Sequence, residues 1–270
     1  MIVAAESASS FLTSASTSSP ELEEAVLAAL RRVSDPELDE SVVELGFVDS
    51  VHVDRGRVDI VLRLPTFWCA PNFAYLMAYD AREEALQLPG VNEVNVVLKD
   101  HMCSDEISSG VSAGDAFSAV FPGQTDGDDL GELRALFRGK AFGMRQEQLV
   151  RFLLDAGLTA KEVVALRAQD VLDTSDSNGL RLELNGVARL LRGGAPLARA
   201  YLQRRQRVGL DADPAAPLVT DLDGASIEAG NLEAHLQRTR RQRVSMTFNA
   251  LMCRGLLETR YGLVDNRKEG

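Results

Sequence analysis

The segment "VHVDRGRVDIVLRLPTFWCAPNF", residues 51–73, decides the fold of the N-terminal part of the chain. Val51 and Val53 precede an Asp-Arg-Gly turn, and apolar residues then alternate at Val58, Ile60, Leu62 and Leu64. This period of two around a tight turn predicts a β-hairpin with one buried face. Pro65 ends the second strand, and the only Trp of the chain then stands beside one of its three cysteines, at Trp68 and Cys69.

The flanking residues predict two helices and a third strand. Ser19 and Pro20, followed by acidic residues, have the composition of a helix N-terminus. Residues 70–88 place apolar side chains at helical spacing, and Val94, Val96 and Leu98 alternate as in a strand. The predicted order is α-β-β-α-β, a small two-layer sandwich in an α+β protein.

Cys69 is predicted to lie in the loop that leads into the second helix. Helix N-termini stabilise thiolates, and a thiolate is the form that attacks an electrophile or binds a metal. The alternative is that Cys69 is a small buried hydrophobic residue beside Trp68, since free cysteine is often buried.

The composition limits the class of protein. No stretch of the 270 residues approaches eighteen apolar residues, which excludes a membrane-spanning helix. Residues 1–19 contain neither Lys nor Arg and no long apolar block, so we expect a disordered tail rather than a secretory signal. Three cysteines, an odd and small number, favour reduced thiols in a cytoplasmic protein.

Charge divides the chain into two modules. Residues 1–130 carry 7 basic and 23 acidic side chains (net −16), whereas residues 131–270 carry 22 and 17 (net +5). Residues 108–130 are dense in Gly, Ser and Asp and are predicted to be a linker. The predicted organisation is therefore a first module at 20–107 and a mostly helical second module at 131–270.

Three motifs of the first module resemble one known family. They are "SDPELDESVVELGFV" (34–48), "PTFWC" (65–69) and "LPGVNEVNVVL" (88–98). In this order they resemble the PaaD-like and SufT-like domains associated with iron-sulfur cluster assembly, over residues 20–108. The family loop usually reads Thr-x-x-x-Cys-Pro, whereas here Cys69 comes one place earlier, three residues after Thr66.

The resemblance implies an acidic motif, Asp35 and Glu37, and a loop motif, Thr66 and Cys69, with Cys69 as the thiol that handles a metal or cluster. His101 and Cys103, just past the third strand, extend the candidate ligand set for transiently bound iron or an iron-sulfur cluster. Each assignment has a structural alternative. Asp35 is equally suited to capping a turn, and His101 and Cys103 to being ordinary residues after a strand.

The second module resembles, more loosely, the catalytic half of tyrosine recombinases. Its helices around 144–171, the candidate hairpin at 179–191 and the C-terminal segment follow that order. The catalytic cations of that family are missing. Thr159 and Val187 stand where an Arg and a Lys are expected, and "NALMC" (249–253) replaces the His- and Arg-containing box. Phosphoryl transfer needs such cations, so we expect a degenerate, inactive domain.

Three functions are compatible with the sequence. The first, which we favour, is a non-catalytic maturation factor for iron-sulfur or iron-containing enzymes such as a multicomponent oxygenase. Its partners would be a client metalloenzyme, cluster-assembly proteins or a second copy of the chain. The second is a thiol enzyme with Cys69 as nucleophile and His101 as base. The third is a DNA-associated regulator, which the acidic first module disfavours by opposing the approach of nucleic acid.

Overall fold

The computed structural model describes residues 19–125, 130–173, 179–184, 186–210 and 213–262, so residues 1–18 of the predicted tail lie outside it. The protein has the predicted α+β fold, with a small α-β module followed by a mostly helical region. The first module contains α1 (Ser19–Leu30), β1 (Ser34–Asp35), β2 (Glu40–Ser41), β3 (Val48–Asp54), β4 (Arg57–Arg63), α2 (Pro71–Leu86), β5 (Glu93–Lys99), α3 (Ser104–Ala113) and α4 (Phe117–Val120).

The sheet of the first module confirms the predicted hairpin and third strand. β3 and β4 are antiparallel, with Val51 opposite Ile60, and β5 pairs parallel to β4, with Val96 opposite Ile60. Arg55 and Gly56 both have positive φ, as a two-residue hairpin turn requires. Alternate residues of β4 and β5 are buried in a core shared with α1 and α2.

The first part of the segment predicted to be a linker is helical instead. Helix α3 extends to residue 113, and α4 follows it. The serines that made this segment resemble a linker have structural partners. Ser108 Oγ accepts a hydrogen bond from Leu98 N at 2.9 Å, and Ser112 Oγ accepts one from Val96 N at 3.0 Å. These side chains satisfy N–H groups of β5, so a Ser-rich composition here marks a packed helix.

The second module combines helices with a small sheet. Its elements are α5 (Gly131–Asp155), α6 (Ala160–Ala165), β6 (Val171–Asp173), β7 (Gly179–Leu184), β8 (Val187–Arg192), α7 (Ala195–Arg207) and α8 (Leu232–Tyr261). β7 lies between β6 and β8 and is antiparallel to both, which confirms the predicted hairpin.

A polar network crosses the core of the second module. Gln146 Nε2 donates to Tyr201 OH at 3.0 Å and to the Thr220 carbonyl at 2.9 Å, and Tyr201 OH donates to the Leu218 carbonyl at 2.6 Å. His235 Nε2 donates to Gln146 Oε1 at 2.6 Å. Buried polar groups need such partners to offset the loss of water, so the network fixes α5, α7 and α8 relative to one another.

Helix α8 is shared by the two modules. Leu236 near its N-terminus belongs to the second core, whereas Ala250 and Leu257 belong to the core of the first module. A side-chain carbon at Gly46 would stand 3.2 Å from Leu257 Cδ2, so the absence of a side chain there allows the close approach. Among the described residues, no helix is long and apolar enough to cross a membrane.

Candidate functional site

The loop between β4 and α2 holds Cys69 two residues before the helix begins. Thr66 Oγ1 and Cys69 Sγ lie 3.1 Å apart in a hydrogen bond. Either of the two atoms can be the donor. The N-cap residue of α2, Ala70, offers no side-chain cap to the first turn of that helix. Cys69 is partly exposed, so an incoming metal or partner can reach it.

The structure brings His101 to this loop, but through the backbone. His101 Nε2 lies 2.7 Å from the Cys69 carbonyl oxygen, and Nδ1 accepts the Cys103 N–H at 3.2 Å. Because Nδ1 is an acceptor, Nε2 carries the hydrogen and donates it to Cys69. His101 is 4% exposed. In this arrangement both ring nitrogens are engaged, and His101 orients the loop that carries the thiol.

Cys103 stands at the N-cap of α3, partly buried. Burial raises the pKa of its thiol, and Glu106 adds to that effect. Within the described ranges, no group of three or more His, Cys, Asp or Glu side chains is arranged to hold a metal. Cys69, Cys103 and His101 are thus near one another in the fold without forming a preassembled ligand set, and metal binding by them stays a prediction.

The acidic motif forms a turn. Asp35 Oδ1 accepts hydrogen bonds from Glu37 N at 2.8 Å and from Leu38 N at 3.0 Å. Burial raises the pKa of the Asp35 carboxyl to about 6, although these two bonds act in the opposite direction. This geometry favours the turn-capping interpretation of Asp35. Glu37 is exposed and accepts a hydrogen bond of 3.4 Å from Asn249 of α8.

Helix α8 lies across these two motifs. Arg254 forms an ion pair with Glu40, and Arg260 donates to the carbonyl oxygens of Leu64, at 3.1 Å, and Asp100, at 2.6 Å. Cys253 directly precedes Arg254, and burial, followed by Asp35, Cys69 and Glu37, raises the pKa of its thiol to about 11. Cys253 was not singled out from the sequence. Its spacing from Ala250 and Leu257 indicates that all three residues share one helix face.

Apolar side chains near the thiol are exposed. Trp68 is 73% exposed and Phe67 is 51% exposed, and Met102 on the neighbouring loop is 54% exposed. The Met102 N–H donates to the Phe67 carbonyl at 2.8 Å, which ties the two loops together. Exposed aromatic and Met side chains are enriched in protein interfaces, so this edge suits contact with another protein.

An acidic residue of the first module joins the two modules. Asp39 is 4% exposed, and its two carboxylate oxygens accept hydrogen bonds of 2.7 Å from Arg145 and Arg204. Arg145 also donates to the Asp39 carbonyl at 2.8 Å. Asp35 and Asp39 both line a cavity of about 250 Å³ between the modules. The contact fixes the residues that follow Asp35 against α5 and α7.

The recombinase-like positions have structural roles instead. Thr159 caps α6 in a capping box with Glu162. Tyr261, the tyrosine near the end of the recombinase-like segment, lies beneath the Arg63 guanidinium, which is 5.1 Å from the ring centroid, and burial raises the pKa of its hydroxyl. Val187 is exposed on β8 and carries no charge. Thr159 therefore caps a helix and Tyr261 contacts Arg63, and the inactivity of this module stays a prediction.

The first module is similar to known proteins. Residues 23–96 match the family described as iron-sulfur cluster assembly protein. The chain is 35% identical over 86 residues to an uncharacterized protein of Methanocaldococcus jannaschii (MJ1129), covering 32% of this chain and 88% of that protein. A crystal structure of a domain of unknown function, DUF59, from Bacillus anthracis is 28% identical and covers 30% of this chain and 76% of that chain. Its TM-score of 0.28 is too low to bear on the fold.

The family match includes Asp35, Thr66 and Cys69 and ends before His101, Cys103 and Cys253. The turn-capping carboxylate and the Thr66–Cys69 hydrogen bond therefore belong to the shared domain, whereas α8 and its thiol do not. Through its first module, the chain belongs to the iron-sulfur cluster assembly protein family.

Proposed function

We propose that this protein is a non-catalytic maturation factor that receives iron or an iron-sulfur unit at Cys69 and transfers it to a client metalloenzyme. The observation that carries the proposal is the placement of Cys69, a partly exposed thiol hydrogen-bonded to Thr66 before a helix N-terminus. Thiolates are the usual ligands of iron in such units. The metal is cargo, so a site with few ligands suits its transient binding.

The exposed side chains beside the thiol support a protein partner. Phe67 and Trp68 would enter the contact with a client or a cluster-assembly protein while Cys69 is within reach of its ligands. A cytoplasmic location, where thiols stay reduced, is part of the same proposal.

The thiol-enzyme hypothesis receives less support from the geometry. A base must be within hydrogen-bond reach of the nucleophile it activates. His101 instead donates to the backbone carbonyl of Cys69 and accepts from Cys103 N. Its ring therefore has a positioning role in the described arrangement, consistent with a non-enzymatic function.

Nucleic-acid binding also receives less support, because several arginines of the basic second module are paired or buried within the protein. Arg204 pairs with Asp39, Arg243 pairs with Glu147, and Arg205 is 2% exposed. Phosphate contacts need free, accessible cations. Salt-dependent binding of a DNA duplex at low ionic strength would revive this alternative.

Anaerobic titration with ferrous iron and sulfide, followed by absorption and bound-metal analysis, tests the proposal. We expect the wild type to bind iron and Cys69→Ser to lose that binding, because serine keeps the size of the side chain but removes the soft ligand. Thr66→Val is the matched variant that removes the neighbouring hydroxyl and should weaken binding less. Equal iron binding by wild type and Cys69→Ser, or none by either, would overturn metal handling through Cys69.

A further inference from the structure

Helix α8 carries a second apolar face, opposite the one that packs on the first module. Its inner face places Ala250 and Leu257 in the first core. Its outer face carries five large apolar side chains that are 43% to 62% exposed, namely Val244, Phe248, Leu251, Met252 and Leu256. These positions recur at intervals of three and four residues, so they form one continuous surface along the helix.

The outer face is the densest group of exposed apolar side chains on any one element. In the part of the chain that the structure describes, no other helix or strand carries more than two such side chains. Apolar residues exposed singly are normal on a protein surface, whereas a contiguous apolar patch marks a contact with another molecule. The outer face of α8 is therefore a candidate interface.

Gly255 lies on the outer face without a neighbour that requires a glycine. A side-chain carbon there would meet no neighbouring side chain or other backbone segment of the described chain within 4 Å. Glycine inside a helix is destabilising relative to alanine, because it loses more conformational freedom on folding. A second helix that packs closely on the outer face would use the missing side chain, since glycine allows two backbones to approach.

The two halves of α8 have opposite electrostatic surroundings. The N-terminal half belongs to the second module, which has a net charge of +5 over residues 131–270, and it carries the exposed Arg240 and Arg241. The C-terminal half lies on the first module, which has a net charge of −16 over residues 1–130, and it carries the exposed Glu258. Two antiparallel copies of the helix would bring the basic half of each toward the acidic module of the other.

A single antiparallel register matches the apolar side chains to one another. Phe248 and Leu251 are equally far from the midpoint between residues 249 and 250. Val244 and Gly255 are equally far from the same midpoint. When a two-fold axis at that height relates two copies, Phe248 of each packs against Leu251 of the other. Val244 then lies opposite Gly255, where the absent side chain leaves room for it.

The same register pairs the exposed charges. Arg241 and Glu258 are also equally far from that midpoint. Both side chains are exposed, and neither has an ion-pair partner among the described residues. In the antiparallel arrangement each arginine faces the glutamate of the other copy, which gives two ion pairs. A parallel arrangement would place arginine against arginine and glutamate against glutamate, and like charges repel.

We propose that α8 is the interface of a homodimer, in which a second copy of this chain packs antiparallel on the outer face. At 1.5 Å per residue, the contact from Arg241 to Glu258 is about 26 Å long. One helix pair of this length is at the small end of specific interfaces, so the expected dissociation constant is roughly 1–10 µM. The inference goes beyond the proposed function and does not rest on metal binding by Cys69.

Analytical ultracentrifugation of the full chain over roughly 1–100 µM tests the dimer. We expect the wild type to change from monomer to dimer in this range. Leu251→Glu should weaken association about a hundredfold or more, because it would bury a charge at the centre of the interface. The matched control is Leu190→Glu, at an equally exposed leucine of β8, which should associate as the wild type does.

Charge reversal tests the register. Arg241→Glu alone should weaken the dimer roughly threefold to tenfold, because each Glu258 then meets a like charge. Adding Glu258→Arg to that variant should restore association, since the two charges are exchanged rather than lost. A double variant that associates no better than Arg241→Glu would overturn the antiparallel register.

Two outcomes of the centrifugation would overturn the interface itself. One is a wild type that stays monomeric over the whole range, and the other is a dimer that Leu251→Glu leaves intact. Cosedimentation of a monomeric wild type with phosphatidylserine vesicles, lost in Leu251→Glu, would assign the outer face to a membrane surface instead. Circular dichroism checks that each variant is folded, as expected because every replaced side chain is exposed.

Discussion

The two ends of α8 share one helical backbone but pack against different modules. At the N-terminal end Leu236 lies in a core that also contains the hydrogen bond from His235 to Gln146. At the C-terminal end Ala250 and Leu257 complete the core of the first module. The difference teaches that the family domain, continuous in sequence, is completed in space by a helix from the other module.

The largest expected effect on stability comes from removing the Asp39 carboxylate, which joins the two modules. Replacing Asp39 by Ala leaves Arg145 and Arg204 without their shared carboxylate. Removing one partner of a buried ion pair typically costs about 3–5 kcal/mol. Denaturant unfolding of the full chain should show that loss, with the two modules unfolding in separate transitions.

The control for Asp39 is an ion pair with the same 2.7 Å separation at the surface. Arg32 is 53% exposed and pairs with Glu84. Arg32→Ala should cost no more than about 1 kcal/mol, because water screens the pair. An equal loss in the two variants would contradict the role assigned to the buried contact.

Two leucines of α8 sharpen the comparison of its ends. Leu257→Ala and Leu236→Ala each remove a buried side chain, and each should lower the free energy of unfolding by about 2–5 kcal/mol. Hydrogen exchange should show faster exchange of β3 and β4 in the first variant and of β7 in the second. If both substitutions perturb only the second module, α8 does not complete the first core.

Replacing Asp35 by a neutral residue is expected to increase the free energy of unfolding. Its pKa is raised from 3.8 to about 6, so the folded state holds the proton more tightly than the unfolded state. The stabilising contribution is therefore present below about pH 4 and is lost as pH rises through 6. Asp35→Asn can keep both hydrogen bonds to the turn without a buried charge, and should be more stable than wild type by roughly 2 kcal/mol at pH 7.5.

That gain should shrink as pH falls toward 4, because the wild-type carboxyl is then neutral as well. Thermal unfolding of the two proteins across this range measures the difference, and Asp54→Asn, at a side chain that is 72% exposed, serves as the exposed control. A difference that does not vary with pH would show that the Asp35 carboxyl does not titrate as described.

The smallest effect on stability is expected at Trp68. With 73% of its surface exposed, Trp68→Ser should change the free energy of unfolding by no more than about 0.5 kcal/mol. The same variant should weaken transfer of iron to a client if the exposed edge is the contact surface. A large loss of stability would instead mean that Trp68 packs within the protein.

Local patterns predicted much of the first module. Alternation in β4 and β5 and the Arg55–Gly56 turn depend on neighbouring residues, so the sequence alone indicates them. The first residues of the predicted linker are helical for a physical reason. Ser108 and Ser112 bond to β5 rather than to water. Composition cannot show which partner a serine finds.

The site was predictable only where its members are close in sequence. Thr66 and Cys69 are three residues apart and were recognised together, and their hydrogen bond follows from the loop. The approach of α8 was not predictable, since Glu40 and Arg254 are 214 residues apart. Helix periodicity indicates that Cys253 shares a face with Leu257, but no local rule says which module that face contacts.

The sharing of α8 also has a consequence for the order of events during synthesis. The strands and helices of the first module leave the ribosome long before Ala250 and Leu257, which complete their core. Contacts of such sequence separation form late and slowly, because a long intervening chain must first be ordered. A nascent first module therefore lacks part of its core, and that core is completed only when the second module has folded and α8 packs against it.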